Sequence, residues 1–167
     1  GAGQTVTADL SSVHCRSMTW SGVTGTPAFR AKDAGLNRLI IFGSLALSSA
    51  MTFDYISPVY FESESQGNTI ALAGNAFRYH VYFNGAGGEW TLQDDFTQTT
   101  GTTYMNQGKL FTNDRNVSMW YFHTSNPNTR ALYLGASVVT ITGYESSWQM
   151  STATGLTFDA GTSLIRF

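Results

Sequence analysis

Apolar and polar side chains alternate along this chain in short runs, each closed by Gly, Asn, Ser or Asp. The runs include "RLIIFGSLALS", "MTFDY", "NTIALAG", "YHVYFNG", "EWTLQD", "NVSMWYF", "RALYLGASVVTITG" and "GLTFDAG". Period-two alternation in such short runs is the mark of a half-buried strand, since successive strand side chains point to opposite faces. The best helical candidate is "PAFRAKDAGLNRLI", which Gly35 interrupts. The pattern predicts an all-β chain.

A glycine followed by alternating apolar residues recurs from Gly43, Gly67, Gly88, Gly108, Gly135 and Gly161. The steps between these glycines are unequal but similar, and a loose period of this size marks stacked repeats. It fits a right-handed parallel β-helix, a solenoid whose coils carry two or three short strands each, with those glycines at the corners. The alternative is an antiparallel sandwich or jelly roll, which also makes many short strands. The solenoid places Leu45, Leu47, Phe61, Ile70, Leu72, Phe83, Trp90, Leu92, Leu132, Leu134, Ile141 and Phe158 inside. Residues 1–167 read as one domain, with 39–167 as the repeat and 1–38 as an N-terminal cap or irregular region. The final "SLIRF" reads as an apolar strand without a polar cap, suited to pairing with a second copy or with more of a longer chain.

Composition narrows the function. The chain is 42% hydrophobic and 14% aromatic, enough for a core in a single domain. Only 12% of residues are charged, nine Lys and Arg against eleven Asp and Glu, so there is no basic field for nucleic acid. No apolar run approaches a membrane span, and Cys15 is a single cysteine, read as a small buried hydrophobe. The polar surface is built from Thr, Ser, Asn, Gln and Gly, which points outside the cell.

From about Gly43 onward, and most clearly in "GNTIALAG", "FNGAGGEWTLQDDF", "NTRALYLGASVVTITG" and "LTFDAGTSLIRF", the chain resembles glycine-punctuated repeat proteins secreted by environmental bacteria, especially Bacteroidetes. It is also similar to tail-fibre-like proteins of aquatic phages. The resemblance implies an extracellular, cell-surface or virion location and an adhesive or structural role. It carries over no active-site residue.

The chemical candidates are sparse. In "WTLQDD", strand parity sends Asp94 and Asp95 to opposite faces, so they serve as strand-ending acceptors of turn amides rather than as a catalytic pair. Glu62 and Glu64 share a face, where they could act as acid and base or hold calcium, but "FESESQGN" reads as a solvated corner. His14, His80 and His123 lack metal-ligand spacing, and Asn113, Asp114 and Asn116 supply oxygens without a full calcium-loop pattern. No nucleophile elbow, phosphate loop or cofactor motif occurs. Asn116–Ser118 forms a glycosylation acceptor triplet, and Thr140 and Thr142 suggest a water-ordering hydroxyl array that does not recur in neighbouring coils.

The tyrosines carry more. Tyr60, Tyr82 and Tyr104 follow one another at equal steps of about one coil, each between residues expected inside. They should form one outward row, with His80 beside Tyr82 on the same face. Exposed aromatic rings in a row suit sugar rings, and a self-stacked ladder bridging coils is the structural counterpart. The sequence thus points to a non-catalytic binding or structural module with a polysaccharide or cell-surface glycan as partner. The alternative is a β-helical polysaccharide-degrading enzyme or a fragment of one.

Overall fold

The computed structural model describes residues 3–167, which contain 21 short strands and no α-helix. Every strand pairing is parallel, and register partners lie one coil apart in the chain, as Thr5 with Ala28, Met18 with Leu45 and Thr102 with Tyr121. The chain is a parallel β-helix of about seven coils. This removes the antiparallel sandwich. The segment with helical periodicity forms two strands instead, because Gly35 and the exposed Lys32–Ala34 turn break it between apolar runs that pair with other coils.

Each coil visits three sides in turn. Side I holds β1 (Thr5–Ala8), β4 (Ala28–Ala31) and β7 (Thr52–Asp54), then β12 (Phe96–Thr97), β15 (Val117–Met119), β18 (Val138–Ile141) and β21 (Leu164–Arg166). Side II stacks β2 (Ser12–Cys15), β5 (Arg38–Ile41), β8 (Val59–Phe61), β10 (Val81–Phe83), β13 (Thr102–Met105), β16 (Tyr121–His123) and β19 (Trp148–Gln149). Side III stacks β3 (Met18–Thr19), β6 (Leu45–Ala46), β9 (Asn68–Ala71), β11 (Glu89–Leu92), β14 (Gly108–Phe111), β17 (Arg130–Tyr133) and β20 (Leu156–Asp159). The repeat starts earlier than the glycines suggest. Strands β1, β2 and β3 pair in register with the next coil, so most of residues 1–38 belongs to the solenoid, its corners there being marked by residues other than the recurring glycine.

Inward side chains stack coil upon coil. Phe29 and Phe53 lie 5.9 Å apart on side I, and Phe61 and Phe83 lie 5.2 Å apart on side II. Burying one such ring stabilises the fold by about 1.5–3 kcal/mol. Eleven of the twelve residues expected inside are buried, and Phe158 is 40% exposed. Its parity is right, since it pairs with buried Leu132, but β20 is the edge strand of side III and nothing stacks on its far side. Cys15 is half-buried against the core, and burial raises its thiol pKa.

The glycines mark two kinds of corner. Gly43, Gly67, Gly88 and Gly108 turn side II into side III, whereas Gly135 and Gly161 turn side III into side I. At Gly88 a Cβ would meet the Ser63 carbonyl oxygen at 1.9 Å and the Trp90 ring at 2.9 Å, so only glycine lets adjacent coils close there. One coil later the strand position of Gly108 is taken by Arg130, which is 1% exposed. Its five N–H groups donate to the carbonyls of Thr124 (2.6 Å), Asn128 (2.9 Å), Thr152 (2.6 Å) and Thr154 (2.8 Å) and to Thr124 Oγ1 (2.5 Å). A buried cation is tolerated because every donor has an acceptor.

Carboxylates and amides staple the corners between coils. Asp94 accepts hydrogen bonds from the amides of Leu72 (2.8 Å) and Ala73 (2.5 Å) in the coil before it, and Asp95 accepts from Asn116 N (2.9 Å) in the coil after it. Asp114 accepts from Ala136 N, and Asn113 donates to the Leu92 carbonyl. "WTLQDD" is therefore a strand running into its turn.

Candidate functional site

The outer face of side II carries one column of residues in strict strand register: His14, Ile40, Tyr60, Tyr82, Tyr104, His123 and Gln149. Val59, Phe61, Val81, Phe83, Thr103 and Met105 are buried, so alternation sends the three tyrosines outward, where each is half-buried by its neighbours. Tyr60 and Tyr82 have ring centroids 4.4 Å apart at 6°, and Tyr82 and Tyr104 have theirs 4.6 Å apart at 5°. The rings are stacked face to face along the solenoid axis. Both faces of Tyr82 are covered, and the column presents ring edges and hydroxyls outward.

Burial, reinforced by the Tyr60 and Tyr104 phenols, pushes the Tyr82 pKa up to about 12. At neutral pH that hydroxyl is a proton donor. At one end of the column the Arg38 guanidinium lies 6.0 Å from the Tyr60 ring centre, and at the other the His123 ring meets Tyr104 at 5.5 Å and 74°.

His80 flanks the column two residues before Tyr82, with its ring 6.1 Å from Tyr82 and 5.7 Å from Tyr104. Its Nδ1 accepts the Thr102 amide hydrogen at 2.9 Å, which that nitrogen can do only unprotonated. Burial lowers the His80 pKa. Behind this flank the buried Gln98 donates to the Tyr79 carbonyl (2.9 Å) and accepts from Thr103 Oγ1 (3.0 Å), fixing the strand that enters at His80. Gly101, with φ +83°, permits the close approach, since a Cβ there would meet the His80 amide at 2.9 Å.

The opposite flank is a polar ladder. Asn106 Nδ2 donates to Asn84 Oδ1 at 2.8 Å, and Asn84 Nδ2 reaches Glu62 Oε1 at 3.4 Å. Glu62 and Glu64 line a shallow groove of about 490 Å³ with Asn84, Asn106, Asn126 and Asn128. A second depression, of about 340 Å³, opens where the tyrosine column ends, lined by Thr102, Tyr104, Tyr121, His123, Glu145 and Gln149. One face thus combines aromatic edges, hydroxyls, carboxamides and carboxylates along five coils.

Structure and sequence agree on the placement of Tyr60, His80, Tyr82 and Tyr104, which come together. Sequence reasoning missed His123, Gln149, Asn84 and Asn106. Yet Glu62, Asn84 and Asn106 are separated by the same step as the tyrosines, a signal that could have found them. His14 lies at the far end of the column, bonded to Ser12 Oγ at 2.7 Å. Among the described residues no three His, Cys, Asp or Glu side chains gather as a metal site. Exposed Asn116 of the glycosylation triplet is held by Asp95. On side I Thr140 stands in register with Ser118 and Thr97 on one side and with Arg166 on the other, so the Thr140 and Thr142 pair does not recur from coil to coil.

Comparison with known proteins gives no match: no family model, no curated protein and no solved structure is similar to the chain at a significant level.

Proposed function

We propose that this β-helix is a non-catalytic binding module that holds an extended glycan along the outer face of side II, in an extracellular, cell-surface or virion setting. The observation that carries the reading is the in-register column Tyr60, Tyr82 and Tyr104, flanked in every coil by hydrogen-bonding groups, His80 and Thr102 on one side and Glu62, Asn84 and Asn106 on the other. A ligand that repeats along one axis matches a surface that repeats along one axis. A sugar chain has hydroxyls for the carboxamides and C–H edges for the aromatic strip.

The state of the acids supports a binding rather than a hydrolytic role. Asp94 and Asp95 are committed to backbone amides, Glu89 to Lys109 at 2.6 Å, and Asp54 to Arg30 and Arg78. Cleavage of a glycosidic bond uses two carboxyl groups on either side of it, whereas Glu62 and Glu64 follow one another at a single corner.

The competing reading, a ladder that only ties coils together, is favoured by the face-to-face stacking, which occupies the ring faces a sugar would otherwise use. A glycan array separates the two. Binding of extended polysaccharides, without release of new reducing ends on prolonged incubation, supports the module; silence across the array leaves the ladder as a structural device. Release of reducing ends overturns the non-catalytic assignment.

A further inference from the structure

Charge on the same face says which glycan. The five side II strands from Val59–Phe61 to Trp148–Gln149 contain no Lys or Arg. Of the cations in the neighbouring coils, Lys109 pairs with Glu89 on side III, Arg30 and Arg78 pair with Asp54 on side I, Arg130 is buried among carbonyls, and Arg115 stands at the corner between sides III and I, away from this face. Carboxylates, by contrast, stand on this face at both ends of the tyrosine column. Glu62 and Glu64 line the groove beside Tyr60 and Tyr82, and Glu145 lines the depression beyond Tyr104.

That depression joins one carboxylate to the rings of Tyr104, Tyr121 and His123. Aromatic walls with an acid are the chemistry that recognises an ammonium group, through cation–π attraction and a charge-assisted hydrogen bond. Tyr82 keeps its proton, with a pKa of about 12, so the column itself brings no competing charge at neutral pH. Arg38, over Tyr60, repels a cation and sets the boundary of the strip at that end.

Resting on the glycan reading, we propose that the ligand is a polysaccharide carrying free primary amines, with one ammonium seated in the depression at Glu145 and others facing Glu62 and Glu64. A neutral or N-acetylated chain lacks the cation, and an acidic chain meets like charge at both ends.

The test is calorimetric titration of the protein with a β-linked glucosamine oligomer, its N-acetylated form, the glucose oligomer of equal length, and a polylysine of equal charge, at a pH of about 6 where the amines are protonated. The expected result is that the free-amine oligomer binds about tenfold or more tighter than the other two sugars, and that Glu145→Gln, an exposed corner substitution, removes most of that preference, read as the ratio of free-amine to N-acetylated affinity. Equal affinity for all three sugars, or a preference that survives both Glu145→Gln and the double change Glu62→Gln and Glu64→Gln, overturns the amine assignment and leaves glycan binding standing. If no sugar binds, both fall. Polylysine binding as tightly as the glucosamine oligomer overturns it as well, showing a general polycation surface.

Discussion

The ring of Tyr82 lies 4.4 Å from that of Tyr60, one coil below, with the two planes within 6° of parallel. Tyr104 repeats the contact above, so removing the Tyr82 side chain breaks two stacks at once. Each aromatic pair is worth about 0.5–1.5 kcal/mol, and Tyr82→Ala should therefore lower stability by about 1–3 kcal/mol in urea unfolding. Tyr82→Phe keeps the stacks and should stay close to wild type in that assay. On the glycan reading, Tyr82→Phe loses a hydroxyl contact and about 0.5–1.5 kcal/mol of binding, and Tyr82→Ala loses about 1–3 kcal/mol. Unchanged glycan affinity in Tyr82→Phe together with the stability loss in Tyr82→Ala would mark the column as purely structural.

Arg130 is the most exacting buried residue. Arg130→Met removes all five donors and leaves four carbonyls in two segments, 124–128 and 152–154, without this partner, so a loss of about 3–5 kcal/mol is expected. Arg130→Lys should recover only part of this, because an ammonium has three donors and no planar fork. The urea midpoints of the two variants check the order; a Lys variant as stable as wild type would refute it.

Two corner glycines should respond differently to alanine. At Gly88 the new Cβ would sit 1.9 Å from the Ser63 carbonyl, which cannot move without parting two coils, so Gly88→Ala should cost about 3 kcal/mol or more or fail to fold. At Gly67 nothing lies within 4 Å of the new atom and only its φ of +77° opposes the change. About 1 kcal/mol is expected there, from a residue held in the left-handed region. Equal thermal shifts for the two would show that contact between coils is not what selects glycine.

Acid should weaken the fold through His80. Its pKa is lowered from the ordinary 6.5 by burial, so the folded chain binds the proton less readily than the unfolded chain. Its contribution is full above the unfolded value and is lost as pH falls through 6.5 and then through the lower folded value. The urea midpoint should thus drop between about pH 8 and about pH 5, and His80→Asn, whose Oδ1 can still accept the Thr102 amide, should flatten the drop. An NMR titration placing His80 at or above the ordinary value would contradict this.

Much of this is readable in the sequence because a narrow solenoid core imposes strict parity. Val59-Tyr60-Phe61 and Val81-Tyr82-Phe83 leave only one face for the tyrosines, and the equal step between them fixes their column. The ring stacking is not readable, since parity fixes a side of the sheet and says nothing of how a ring is turned. Gly135 and Gly161 resemble the earlier corner glycines in sequence and yet turn a different corner, because any tight turn rewards the same residue. Arg130 shares strand parity with Leu132 and Leu134, so alternation already turns it inward; the room that admits it, beside the missing side chain of Gly108 one coil below, shows only in three-dimensional register. His123 escapes because its coil is shorter than the tyrosine step, and Gln149 because the insertion "SNPNT" makes the next coil longer.

Side I is broken where sides II and III are continuous: between β7 and β12 its ladder shrinks to a single bridge from Phe77 to Gln98, and Phe53 N donates to the Asn75 side chain at 3.0 Å instead of to a backbone carbonyl. A rod scored along one of three faces does not flex equally in all directions. Bending should open or close this notch, with the unbroken faces acting as the hinge strap, and amide hydrogens around Phe53 and Phe77 should exchange faster than those of Tyr60 and Tyr82 in the same coils. The tyrosine column lies on one of the unbroken faces, so its spacing is buffered against the very motion that the notch admits.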